Sequence, residues 1–269
     1  TPYFSHPDPT VERKTGFLTP SFASSTNYGL ATKLPFYWVI DGQTDLTITP
    51  FLTTDEGPVG EIDFRRAFAN GSLRVRGSVT GSDFTGRDEL HGHVDTQGGF
   101  TSGPGIDWGW DVRFASDDDY LRFFDFSNED RLTSELFARR YRADGFFDIR
   151  ALRFQSLRED EPFGTIPLVL PVVEARRDFA DPWGGGRFGA TVSAQSLFRP
   201  EGEDTSRLSL GLDWERNVVL PVGLAVEGFA QLRGDLFLTR DSRTVDDDLE
   251  PRLAPLAGAT LRYPLIADT

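Results

Sequence analysis

The sequence predicts an all-β fold, an antiparallel β-barrel of the membrane-spanning kind, and three observations predict it. Apolar and polar residues alternate with period two from end to end, in runs bounded by Gly, Asp, Asn and Pro, while helical periodicity is almost absent. The runs are roughly ten residues long, the length a tilted strand needs to cross a bilayer. The face opposite the apolar one is rich in Arg, Asp and Glu, with lysine only at positions 14 and 33. Alternation alone suits a soluble sandwich equally well, with the apolar face as its core. The Arg and carboxylate face favours the barrel and leaves the sandwich open, because guanidinium satisfies two oxygens at once and so suits a crowded, paired, water-filled interior.

Bulk properties narrow the classes. The chain has 269 residues, 38% hydrophobic and 13% aromatic, enough to order a structure. A net charge of −14 and Arg interleaved with Asp argue against a nucleic-acid partner, which needs a clustered basic surface. There is no cysteine, hence no disulfide framework and no thiolate metal site in these residues. There is no methionine, even at position 1, so the chain is expected to be a mature or excised piece of a longer protein. The longest apolar stretch, "TIPLVLPVVEA" at 165–175, falls far short of the roughly 20 residues of a membrane helix.

Taken in order, the opening "TPYFSHPDPTVERKTGFLTPSF" holds four prolines in its first twenty residues and reads as an irregular connector ending near residue 22. Strand runs follow near 28–40, 45–54 and 60–68, and "ANG" at 69–71 is a tight turn. "SLRVRGSV" sets Leu73, Val75 and Val79 against Arg74, Arg76 and Ser78. A noisier run at 88–95 leads into "VDTQGGFTSGPG", read as a long polar loop. "IDWGWDVRF" is the clearest strand, with Ile106, Trp108, Trp110, Val112 and Phe114 on one face and Asp107, Asp111 and Arg113 on the other. Further runs lie near 132–141, 146–154, 168–176 and 187–197. "RLSLGLDWER" then opposes Leu208, Leu210, Leu212 and Trp214 to Arg207, Ser209, Asp213 and Glu215. Runs at 222–233 and 257–265 flank "TRDSRTVDDDLEP", read as a second long loop. The total is about a dozen strands, with short turns on one rim and long loops on the other. Phe36, Tyr37, Trp38, Trp183 and Trp214 near strand ends suit interfacial girdles or an ordinary core. No repeat of fixed 20- to 50-residue period is visible, against a propeller or solenoid.

"LPFYWVIDGQTDLTITP" at 34–50 places a proline near the middle of each of two strand runs, and proline cannot donate to a ladder. Around it, "RKTGFLTP" (Arg13 to Pro20), "LPFYW" (Leu34 to Trp38) and "DLTITP" (Asp45 to Pro50) resemble the LptD family of lipopolysaccharide-assembly outer-membrane proteins, also called OstA or Imp. "DDDYLRFFDF" at 117–126 is similar to an aspartate-aromatic segment that follows the family's early strands. The rest of the chain matches only in strand rhythm.

The resemblance implies a periplasmic β-jelly-roll, of which residues 1–22 are the exit, followed by a large barrel that begins in 23–269. It implies the plug lipoprotein LptE and the periplasmic bridge protein LptA as partners. Lipopolysaccharide would pass into the outer leaflet of the outer membrane through a seam between the first and last strands. Pro35 and Pro50 fall on the family's prolines at this lateral gate, where weak pairing lets the wall part. About two dozen strands are implied, of which this chain supplies half, and the family's cysteines do not occur in it. Rival readings are a soluble all-β glycan-binding protein or glycoside hydrolase, and a general porin-like channel.

No constellation points to catalysis or to a cofactor. His91 and His93 sit two apart and share a face with Asp95, but two histidines and one carboxylate without a supporting shell read as lumen polarity, not a metal site. Glu159 with Glu161, and Asp181 near Trp183, are the chance carboxylate pairs that 42 acidic residues make unavoidable. "GGG" at 184–186 lacks a P-loop lysine. "DDD" at 117–119 and 246–248 reads as solvated loop, with divalent cations bridging lipid phosphates as the alternative. Arg65, Arg74, Arg76, Arg113 and Arg150 on the lumen side are candidates for lipid-phosphate contacts, and structural ion pairing explains them as well.

Overall fold

A computed structural model describes residues 13–81, 89–158, 160–161, 163–180, 185–241 and 248–263. The opening strands are β1 (Gly16–Phe17), β2 (Ser21–Ser25), β3 (Gly29–Lys33), β4 (Phe36–Val39), β5 (Thr44–Thr53) and β6 (Val59–Phe68). Next come β7 (Gly71–Thr80), β8 (His91–Ser102), β9 (Ile106–Ala115), a one-turn helix α1 (Tyr120–Phe123), β10 (Arg131–Arg142) and β11 (Gly145–Ser156). The last are β12 (Leu168–Ala180), β13 (Arg187–Phe198), β14 (Glu203–Val219), β15 (Ala225–Asp241) and β16 (Asp248–Arg262). Pairing is antiparallel in the order β1, β4, β5 and consecutively to β16, with β2 on β3 and β3 on β5 beside this path. Among the described residues the order does not close on itself.

The chain forms two compact units. The first comprises Thr1–Ser102, Trp108–Leu136 and Phe154–Phe163, the second Gly103–Asp107, Phe137–Arg153 and Gly164–Thr269. In the first, register fixes which side chains share a face. Asp45 opposes Arg65, Arg65 opposes Arg74, and Arg74 opposes Gln97, so the polar members of each alternation line up across the strands. The apolar members stand on the other face and stay open: Val79 is 51% exposed, Ile62 46% and Trp108 39%. The second unit repeats this, with Leu208, Leu210 and Leu212 exposed along β14. A soluble sandwich would have buried these side chains first.

Turn lengths follow the two-rim expectation over β4 to β12. The links at 40–43, 69–70, 103–105 and 143–144 are short, and on the other rim those at 81–90, 116–130 and 157–167 are long while 54–58 is the exception. The reading of 94–105 as a long polar loop is wrong: Val94–Ser102 is the body of β8, and only 103–105 turns. Composition misled because the missing bulk comes from the neighbouring strand. The Ser116 nitrogen donates to the Gly92 carbonyl at 2.9 Å, a register that sets Trp108 opposite Phe100 and Trp110 opposite Gly98. Phe100 and Trp108 stack at 4.8 Å, and a Cβ on Gly98 would lie 2.5 Å from the Trp110 ring. The indole thus covers the glycine, as aromatics do on designed sheets. Gly98→Val should therefore cost about 1–3 kcal/mol by overpacking, read as a lowered unfolding midpoint in detergent. The second loop expectation is also too long, since β15 runs to Asp241 and β16 starts at Asp248.

Candidate functional site

The two prolines sit side by side but act on different ladders. Lys33 opposes Phe51 and Phe36 opposes Ile48, so Leu34 faces Pro50 and Pro35 faces Thr49. The Leu34 nitrogen donates to the Pro50 carbonyl at 3.1 Å, and the reciprocal bond cannot form because residue 50 has no N–H. Pro35 faces the opposite way. Its carbonyl accepts from the Leu18 nitrogen at 2.9 Å, so its own missing donor is aimed at the segment carrying β1. The two prolines therefore remove one donor on each side of β3 and β4. A one-residue register change lies there too, because Phe17 pairs with Phe36 whereas Ser21 pairs with Lys33. The position near residue 22 falls inside β2.

Behind these strands the polar face is an array of ion pairs. Arg65 Nε donates to Asp45 at 2.8 Å, and Arg74 grips Asp63 with two bonds of 3.0 and 2.7 Å. Arg76 reaches Asp95 at 2.5 Å, and Arg113 reaches Glu129 at 2.7 Å. Across β6 to β9 one row therefore alternates in sign through Asp63, Arg76, Asp95 and Arg113. Asp45 is 2% exposed and also accepts from the Tyr37 hydroxyl at 3.1 Å, which turns Tyr37 away from the face that exposes Trp38. In the second unit Arg150 pairs with Asp148 at 2.8 Å. There Arg176 crosses β13 to hold Asp213 at 2.9 and 3.0 Å, over Gly189, where a Cβ would lie 2.4 Å from the guanidinium.

The histidine expectation is half geometric. His91, His93 and Asp95 do share the polar face, but each is bonded elsewhere: His91 to Asp117 at 2.7 Å, His93 to Ser78 at 2.7 Å and Asp95 to Arg76. Asp117 of the first acidic run is committed to His91 and Ser116. Glu161 accepts from Arg131 at 2.6 Å. Glu159, Asp181, Trp183, Gly184 and two members of the second acidic run, at 246 and 247, lie outside the described residues.

Sequence reading missed what fills the polar face beside the prolines. The link from β9 to β10 folds back over it, burying Tyr120, Leu121 and Phe124 of the "DDDYLRFFDF" stretch against Tyr28, Phe51, Val59 and Leu132. The available signal was the loss of period two in that stretch, where Tyr120, Leu121 and Phe124 have helical spacing instead. A cavity of about 610 Å³ remains, lined in part by Leu18, Pro35, Arg76, His93, Arg113 and Phe126. Burial pushes the Tyr120 hydroxyl up to about 12. A tyrosine held neutral stabilises the fold fully below its unfolded pKa near 10, and that contribution is lost as pH rises from about 10 toward 12. The unfolding midpoint should stay flat to about pH 10 and fall above it, less steeply in Tyr120→Phe.

Comparison with known proteins finds a single family. The family model described as "LptD: LPS transport system D" matches residues 90–269. The LPS-assembly protein LptD of Nitrosococcus oceani is 37% identical over 116 residues, 43% of this chain and 15% of that protein. Its counterpart in Shewanella frigidimarina is 30% identical over 169 residues, 58% of this chain and 21% of that protein. That of Shewanella oneidensis is 46% identical over 54 residues, 20% of this chain and 7% of that protein. The matches therefore span about a fifth or less of these relatives.

Proposed function

The chain belongs to the LptD family of LPS transport proteins, and on that premise we propose that it is the seam-bearing part of an outer-membrane β-barrel that delivers lipopolysaccharide to the outer leaflet. One observation carries the reading: the apolar face of the sheet is exposed while the polar face is ion-paired and partly buried, the reverse of a water-soluble fold. In this reading residues 1–22 are the connector from a periplasmic jelly-roll and 23–269 begin the barrel. Pro35 and Pro50 form the lateral gate, and the missing donors on both sides of β3 and β4 support that role. Arg65, Arg74, Arg76, Arg113 and Arg150 meet lipid phosphates in transit. Each spends part of its donor fork on a carboxylate and keeps a quarter to a half of its side chain exposed. LptE as plug and LptA as bridge are the partners the reading needs, and the barrel performs no chemistry of its own.

Depletion of the full-length protein in cells tests this. Newly made lipopolysaccharide should stop reaching the surface, and the protein should extract with detergent instead of buffer. Normal delivery during depletion, or steady ion conductance with no effect on lipid, would point to a porin-like channel instead.

A further inference from the structure

Each proline deletes a ladder bond beside β3 and β4, and side chains of the β9–β10 link add contacts to β3 and β5 there. The β9–β10 link spans from those strands to the opposite side of the first unit's polar face. At one end the Tyr28 hydroxyl donates to Asp125 at 2.8 Å, and Asn27 Nδ2 donates to the Phe123 carbonyl at 3.3 Å. Beside them Phe51, the residue after Pro50, meets Tyr28 edge-on at 5.3 Å and Phe124 at 6.2 Å. The Lys33 ammonium lies over Phe51 and Phe126 at 4.4 and 5.1 Å. At the other end the Tyr120 hydroxyl bonds Ser78 on β7 at 2.7 Å. Asp125 is the one non-glycine among the described residues with positive φ, at 57°, a conformation that Asp and Asn tolerate best. Its backbone turns the link at the point where its carboxylate accepts the Tyr28 hydrogen bond.

We propose that Tyr28 and Asp125 are positioning residues for the seam: their hydrogen bond ties the β9–β10 link to the proline-bearing strands, and those strands part only when that tie is released. This rests on the assignment of Pro35 and Pro50 as the lipid exit. The link is a brace across the polar face, and it replaces from inside the pairing that the prolines remove from the wall.

Hydrogen exchange on the full-length protein in nanodiscs tests the tie without reference to lipid. Tyr28→Phe deletes only the hydroxyl and should speed exchange of β3 to β5 amides by about tenfold, as expected for losing a bond to a carboxylate. Asp125→Asn keeps both an acceptor oxygen and tolerance of positive φ, and should stay within about twofold of the parent. Unchanged exchange in Tyr28→Phe, or equal loosening of all strands in both variants, would overturn the proposal. In cells, Tyr28→Cys with Asp125→Cys joined by a reducible thiol cross-linker should halt surface delivery of lipopolysaccharide until reductant is added. Full cross-linking with delivery unaltered would also overturn it. Exchange reads the tie alone, whereas delivery in Pro35→Ala reads the exit alone, so the two ideas fail separately.

Discussion

Alanine at both Pro35 and Pro50 in the full-length protein should slow delivery of lipopolysaccharide to the cell surface by roughly thirtyfold. Each substitution supplies a backbone donor, toward Leu18 from position 35 and toward Leu34 from position 50. A recovered ladder bond is worth about 1 kcal/mol, and two together shift an opening equilibrium by that factor. The geometry divides the effect. The position 35 donor faces the segment beyond β4, whereas the position 50 donor fastens β3 and β4 to β5. Each single alanine variant should therefore lose about fivefold, Pro35→Ala through the β1 side and Pro50→Ala through the β5 side. Pulse-labelled lipopolysaccharide, scored for surface accessibility, measures both. Equal export in the parent and the double variant would remove the gate role.

Phe51→Ala should be the most destabilising single change near the seam, at about 3–5 kcal/mol. The ring is 1% exposed and touches Tyr28, Phe124 and Phe126 at once, so the cavity left behind cannot close without moving the β9–β10 link. Leu52→Ala, one residue along on the exposed face, should cost about 1 kcal/mol or less in detergent, because more than half of the residue is already exposed. The pair measures which side of β5 is interior. Unfolding midpoints followed by loss of heat-modifiable migration would show the contrast, and a similar cost at both positions would mean that both faces of β5 are packed.

Much of this was legible in the sequence because the strand period is two and both sides of each strand carry strong signals. The apolar residues of 106–114 could be assigned to one face from spacing alone, and Ile106, Trp108 and Phe114 are exposed on it. The prolines at 35 and 50 were visible too. The direction of their missing donors was not, because it depends on register, which is set by pairs such as Phe36 with Ile48 and Phe17 with Phe36. Gly98 and Gly99 made β8 look like a loop, since the mass that stabilises it belongs to Trp108 and Trp110 one strand away. The brace was hidden for a related reason. Its aromatic residues bury against Tyr28, about a hundred positions earlier in the chain, and no local pattern encodes so distant a contact. The arginines announced their face but not their partners, and Arg74 chose Asp63 over Gln97, which is also within one strand of it.

Trp108 reports most directly on what surrounds the exposed apolar face. With the other four of the five tryptophans replaced by phenylalanine, the full-length protein can be placed in vesicles whose acyl chains carry bromine. Trp108 fluorescence should be strongly quenched by the brominated chains and little affected by aqueous iodide. Quenching by iodide with no response to brominated lipid would put that indole in water and contradict the membrane-spanning barrel.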